Sequence, residues 1–213
     1  MSTDDIARQF DRECCARVER GTAAVDQIDG VAATLLDCLA KAGFGGGTVL
    51  ELGSGDGTLG RELLKRGAQR VTGYDLSPRS VAYASERAKM DGQAERLDFR
   101  LGDGAVATLA PHDAVVSKKV FCCYPNADAL LANSLAVAGR WYALVLPDSR
   151  GVVGVVARMA VRIENAWKWL TRDGFRAYVH DVREVRRTIE AAGFRLQSSR
   201  RSGIWLALAF SRD

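Results

Sequence analysis

The run Val49-Leu50-Glu51-Leu52-Gly53-Ser54-Gly55-Asp56-Gly57 constrains this chain more than any other stretch. Thr48 to Leu52 reads as a short buried strand, three glycines alternate directly after it, and Thr58 to Arg66 has helical spacing. A strand, a glycine turn and a helix in that order open a parallel α/β sheet, where ligands sit at the carboxyl ends of the strands. Glycine has no Cβ, so the backbone can turn sharply and a ligand can lie against it. The start of the helix adds free N–H groups and a partial positive charge.

The spacing narrows the ligand. A dinucleotide turn needs G-x-G-x-x-G, and Thr58 stands where its third glycine belongs; the Gly-Lys-Ser/Thr of a phosphate loop is absent. What stands here is acid-x-Gly-x-Gly-x-Gly from Glu51. This pattern resembles motif I of the class I S-adenosylmethionine (SAM) methyltransferases. The resemblance implies that Glu51, Gly53, Ser54, Gly55, Asp56 and Gly57 touch SAM and, after transfer, S-adenosylhomocysteine. It also implies a Rossmann-like, seven-stranded, mostly parallel sheet with helices on both faces and an antiparallel last strand. A glycine cluster alone could be a tight structural turn, so the following motifs carry weight.

Arg70 to Tyr74 reads as the second strand, with Asp75 at its end, and Ser77 caps a helix from Pro78 to Met90. An acid at that strand end can accept both ribose hydroxyls of an adenosine. The resemblance gives Asp75 this role, with Leu76 beside it. Leu97 to Leu101 is the third strand, followed by Gly102-Asp103-Gly104-Ala105. The family places an acid here for the adenine amino group and a backbone N–H against the ring, which implies Asp103 and Gly104. The fourth strand is Asp113 to Ser117, and Ser117 is expected at the cofactor. The segment from Ser117 to Pro125, with Cys122, Cys123 and Tyr124, reaches the reacting centre in this fold. Asn/Asp-Pro-Pro-Tyr/Phe of DNA amino-methyltransferases is absent, and Cys-Tyr-Pro reverses the Pro-Cys order of RNA cytosine-5 enzymes. No nucleic-acid partner is therefore expected.

Around this core the chain is helical at its start. Residues 4–20 place Ile6, Phe10 and Cys14 on one side, and a second helix runs to about Ala42 with Thr22 as its cap. In the resembling family such helices cover the cofactor pocket. Asn126 or Asp128 caps a helix to Ala138, and Arg140 to Pro147 is the fifth strand. Gly151 to Gly174 forms a long amphipathic helix, with Val152, Val155, Val156, Met159, Ile163, Trp167 and Leu170 on one side and Arg158, Arg162, Lys168 and Arg172 on the other. It is expected to cover the acceptor side of the pocket with Trp167 or Met159 buried. Binding to a membrane surface is conceivable for such a helix but is not the favoured reading. Asp181 caps the helix Val182–Ala192, Gly193 ends it, and Phe194–Ser199 and Ile204–Phe210 are the last two strands.

The expected organisation is one domain: a helical cap at 1–45, a SAM-binding core at 48–147, the inserted helix at 151–174 and C-terminal strands at 175–213. Residues 151–213 hold 12 basic and 6 acidic side chains, against 18 and 20 in residues 1–150. The basic end is compatible with an anionic acceptor or surface, and equally with a solvated basic face. Five cysteines, an odd number without C-x-x-C, and an acidic, polar start without a signal-peptide pattern point to a cytoplasmic protein without a disulfide framework. With two histidines no metal site is expected.

The C-terminal stretch Tyr178-Val179-His180-Asp181, with Ala192-Gly193-Phe194 after the helix, resembles magnesium-protoporphyrin O-methyltransferases, which methylate a propionate carboxylate. Those enzymes tend to carry His-Tyr after the fourth strand, where this chain has Cys123-Tyr124, a departure that weighs against the tetrapyrrole substrate and against a role carried over from that histidine. The reaction expected is methylation of a small molecule, most simply at oxygen. Alternatives are a nitrogen, protein or thiophilic acceptor such as arsenite, the last raised by the Cys122-Cys123 pair, or SAM binding without catalysis. His180 and Tyr124 are the candidate catalytic residues: a neutral imidazole near pH 6.5 can take a proton from an alcohol or phenol, or orient a carboxylate. For His180, capping the next helix or pairing with Asp181 is the competing role. His112, at the opposite end of the fourth strand, is expected to be structural.

Overall fold

A computed structural model describes residues 2–19, 28–125 and 127–213. Helices α1 (Thr3–Glu19) and α2 (Gly30–Lys41) precede strand β1 (Gly47–Leu52), and then strands and helices alternate. They are α3 (Thr58–Lys65), β2 (Ala68–Asp75), α4 (Pro78–Met90), β3 (Leu97–Leu101), β4 (His112–Lys118), α5 (Ala127–Val137), β5 (Ala138–Pro147), α6 (Gly151–Leu170), α7 (Val182–Ala191), β6 (Arg195–Ser202) and β7 (Trp205–Ser211). The seven strands form one sheet in the order β3-β2-β1-β4-β5-β7-β6, with β7 antiparallel to both its neighbours. Strand order reverses between β1 and β4, and the crevice outside the carboxyl ends at such a point is where open α/β sheets bind ligands.

The sheet is buried on both faces, which is why its central strands read as unbroken apolar runs. On one face Leu50, Leu52, Val115, Tyr142 and Leu144 pack with Leu130 and Leu131 of α5 and Val185 and Ile189 of α7. On the other, Val49, Val71, Val116 and Val145 pack with Leu35 and Leu39 of α2, Leu63 of α3 and Ala84 of α4. The register sets Glu51 beside Gly73 and Val116, so the ends of β1, β2 and β4 lie level.

Two sequence expectations need correction. The second helix starts at Gly30, because the Asp29 carboxylate accepts from the Ala32 N–H at 2.6 Å and stops the helix there; Thr22 lies outside the described residues, as does Asn126. The larger correction concerns α6. Met159 and Trp167, expected to be buried over the pocket, are 56% and 66% exposed. The side of α6 turned to the protein carries small and polar residues instead. Gly154 lies so close to the Ser149 carbonyl that a Cβ there would overlap it, and Ala157 is buried. Asn165 exchanges two hydrogen bonds with the backbone of Ala177, and Lys168 reaches Gln9. These contacts fix the apolar side outward.

Candidate active site

A cavity of about 330 Å³ opens at the carboxyl ends of β1, β2 and β4, beneath α1. The glycine turn forms its floor. Gly53, Gly55 and Gly57 have φ of 68°, 53° and 74°, left-handed values that other residues rarely adopt. At Gly53 space is decisive as well, since a Cβ would stand 2.3 Å from a Val120 methyl. At Gly55 the Cβ direction is open, so the backbone itself faces the cavity.

Glu51, Gly53, Ser54, Gly55, Asp56, Asp75, Leu76, Gly104 and Tyr124 all line this cavity. Asp75 accepts from the Gly55 N–H and the Ser77 N–H, both at 2.8 Å, which ties the end of β2 to the glycine turn. Burial pushes the Asp75 carboxyl up, and these backbone donors pull it back only partly. Glu51 is 1% exposed, and its Oε2 has no hydrogen-bond partner among the described residues. Burial raises its pKa to about 8.

Three predicted residues stand back from the cavity. Gly57 caps α3 behind it, against Phe99 and Ala84. Ser117 is buried in β4 with its hydroxyl unpartnered among the described residues; Lys118 and, past the strand end at φ 60°, Lys119 face the cavity instead. Asp103 lies behind its neighbours Gly102 and Gly104, accepting from the Ala105 N–H at 2.9 Å and the Tyr124 hydroxyl at 2.8 Å.

Of the two candidate catalytic residues, one has its proton committed and the other uses one ring nitrogen on the backbone. The Tyr124 hydroxyl donates to Asp103, and burial together with that carboxylate pushes its pKa well up, which holds it as a neutral phenol. His180 does not line the cavity. Its Nε2 lies 2.9 Å from the carbonyl oxygens of both Phe121 and Tyr124; both partners are acceptors, so this nitrogen carries the hydrogen and cannot take another. Tyr178 stacks on the His180 ring and donates its N–H to the Cys122 carbonyl. His180 thus fastens the segment before α7 to the turn after β4. His112 bonds Ala110 and Thr72 at the far end of β4. Cys122 and Cys123 both point their thiols at the Lys119 carbonyl, and only Cys123 lines the cavity.

Sequence reasoning gave no role to Lys118 and Lys119. Lys118 and Lys119 enter the cavity at the end of β4, with Lys119 at φ 60°. Asp29 lies 3.4 Å and 3.5 Å from their Nζ atoms, and Lys119 sits over the Trp205 ring. A doubled lysine directly after an apolar strand was the available signal. From above, α1 contributes Ile6, Phe10, Glu13 and Cys14. Asp11 pins that helix by accepting from the Ser77 hydroxyl and the Arg79 N–H at the start of α4, and Phe10 meets Phe175 edge to face.

The arrangement fits an adenosine carrying an amino-acid tail: an acid at the second strand end, a backbone turn without side chains, and a buried, unpartnered carboxyl that a cationic amino group would satisfy. Comparisons with known proteins agree. Residues 49–138 match the family model of a methyltransferase domain. The chain is 30% identical over 142 residues to ribosomal protein L11 methyltransferase of Yersinia pseudotuberculosis, and 32% over 123 residues to that of Klebsiella pneumoniae. These alignments cover 64% and 56% of this chain but only 43% and 36% of the relatives. Among solved structures, magnesium protoporphyrin IX methyltransferase of Synechocystis PCC 6803, with bound S-adenosylhomocysteine, superposes over the full length of both chains with a TM-score of 0.73 at 19% identity. A geranyl diphosphate methyltransferase with sinefungin superposes at 0.63 and 16% identity, over 85% of this chain and 76% of its own. Likeness at these identities is likeness of fold.

Proposed function

We propose that this chain, a class I SAM-dependent methyltransferase by its domain and fold, methylates a small anionic acceptor at a carboxylate oxygen. The observation that carries this reading is the pair Lys118 and Lys119 in the cavity, next to a phenol whose proton is already committed to Asp103, while His180 stands back from the cavity wall. A carboxylate needs no base, whereas an alcohol or protonated amine gains about 10²–10⁴-fold from one.

In this reading residues 48–147 are the cofactor-binding core and α1 is its cover, while α2 packs on the face of the sheet. Asp75 accepts the ribose hydroxyls, Glu51 meets the cationic amino group, and the backbone of Gly53, Ser54, Gly55 and Gly104 packs against the ligand. The cofactor, when bound, supplies a methyl group activated by a positive sulfur. The chain's own work is positioning: Lys118 and Lys119 attract and hold the acceptor anion, Tyr124 offers a neutral polar wall, and Ile6 and Phe10 keep water out. Holding the reactants in line accounts for several kcal/mol of barrier lowering, on the order of 7 at well-organised sites.

The test incubates the protein with SAM labelled in its methyl group and a panel of small organic acids. The expected product is a methyl ester, which releases its label as methanol in mild base. Label in a base-stable ether or amine would overturn the carboxylate assignment while keeping the transferase. Label on added ribosomal protein would favour the acceptor named for the L11 methyltransferase relatives. No transfer to any acceptor would leave a SAM-binding protein without catalysis.

A further inference from the structure

The outward side of α6 carries most of the large hydrophobic side chains that the described residues expose. At 100° per residue, Val152, Val156, Met159, Ile163, Trp167 and Leu170 fall in one stripe along the helix, and each is between 52% and 80% exposed. No charged residue interrupts this stripe. Arg158 and Arg162 run along one edge, exposed, and Arg172 stands just beyond the end of the helix. From Gly151 to Arg172 there are four basic residues and one acidic, Glu164. An apolar face bordered by arginines, with tryptophans at one end, has the composition of a helix that lies in the plane of a bilayer surface.

We propose that α6 docks on the surface of an anionic phospholipid bilayer, its apolar stripe in the acyl boundary and its arginines on the lipid phosphates. Charge complementarity selects this occupant. In an antiparallel self-pair about a two-fold axis, the Arg158–Arg162 edge would meet its own copy, like charge against like. Nor does the helix suit a span, since no helix among the described residues is long and apolar enough to cross a membrane. A lid swinging the same stripe onto the cavity is opposed by the tethers on the other side of α6, the Asn165–Ala177 pair and the Lys168–Gln9 bond. The Arg12–Asp173 ion pair, at 2.9 Å, links the end of this segment to α1, whose Ile6 and Phe10 line the cavity. A bilayer held by α6 therefore sits beside the cover of the cavity.

The test is co-sedimentation of the full chain with vesicles of phosphatidylcholine alone and with vesicles containing a third phosphatidylglycerol, at low and high salt. Binding to the anionic vesicles is expected, with a blue shift of tryptophan emission, and is expected to weaken about tenfold or more on neutral vesicles or at high salt. The double substitution Met159→Glu and Ile163→Glu, both at exposed positions, should abolish binding while leaving the thermal unfolding transition in place; Arg158→Gln with Arg162→Gln should weaken it. Absence of binding to anionic vesicles overturns the proposal. So does a concentration-dependent dimer in light scattering that the same Met159→Glu and Ile163→Glu pair converts to monomer, since the stripe would then be covered by a second copy.

Discussion

Glu51 offers a prediction whose size can be worked from the structure. Its carboxyl is buried beneath the glycine turn, and its pKa rises from 4.5 to about 8 on folding. Above about pH 4.5 the unfolded chain carries Glu51 ionised, whereas the folded protein keeps the proton until about pH 8. Folding therefore takes up a proton across that window, and stability falls as pH rises through it; below and above the window the contribution is flat. At pH 7 the cost is about 3 kcal/mol, taking 1.36 kcal/mol per pKa unit. Glu51→Gln keeps the shape and removes the titration. Urea unfolding of both proteins, without cofactor, from pH 4 to pH 9 measures the difference. The variant is expected to gain about 3 kcal/mol on the parent between pH 4 and pH 7, and the gap should level off above pH 8. A gap that stays constant over this range would refute the argument, because the carboxyl would then be ionised in the folded protein with a partner of its own. Saturating S-adenosylhomocysteine should shrink the gap by setting a cationic amino group beside the ionised form.

Gly53→Ala meets Val120 and a left-handed φ of 68° at once; it should lower stability by more than about 1 kcal/mol in denaturant titration and weaken SAM binding in calorimetry. Tyr124→Phe removes the donor to Asp103, and His180→Gln disturbs the bond to the Phe121 and Tyr124 carbonyls. Each should cost about 1–3 kcal/mol of stability, and neither should move the pH profile of turnover; loss of an acidic limb in His180→Gln would restore histidine as a base. Lys118→Ala and Lys119→Ala should raise KM for the acceptor about tenfold or more while SAM affinity stays within about threefold, read from initial rates and calorimetry.

How much of this was legible in sequence differs from residue to residue. The glycine turn and Asp75 were readable because their conformations demand particular residue types: left-handed backbone at Gly53, Gly55 and Gly57, and an acid facing the Gly55 and Ser77 N–H groups. The sheet followed from apolar runs that are buried on both sides. For α6 the periodicity identified an apolar face correctly, but periodicity does not say which way a face points; Gly154, Ala157 and Asn165 decide that through contacts with residues elsewhere in the chain. The two competing roles of His180 could not be separated in sequence for a related reason. Rarity and position marked it, while its hydrogen bonds to carbonyls 56 and 59 residues away are set by tertiary packing. Lys118 and Lys119 lay in the segment expected to reach the reacting centre, but their role there depends on the cavity lining and on Asp29, which only the fold brings together.

The measurement that bears most directly on the account is a crystal structure with S-adenosylhomocysteine bound. The account predicts the ribose hydroxyls on Asp75, the amino group on Glu51, and the sulfur turned toward Lys118, Lys119 and Tyr124 with both lysine Nζ atoms available to an acceptor anion. A structure in which the two lysines are taken up by the cofactor's own carboxylate, or in which the ligand lies outside the cavity beneath α1, would contradict it.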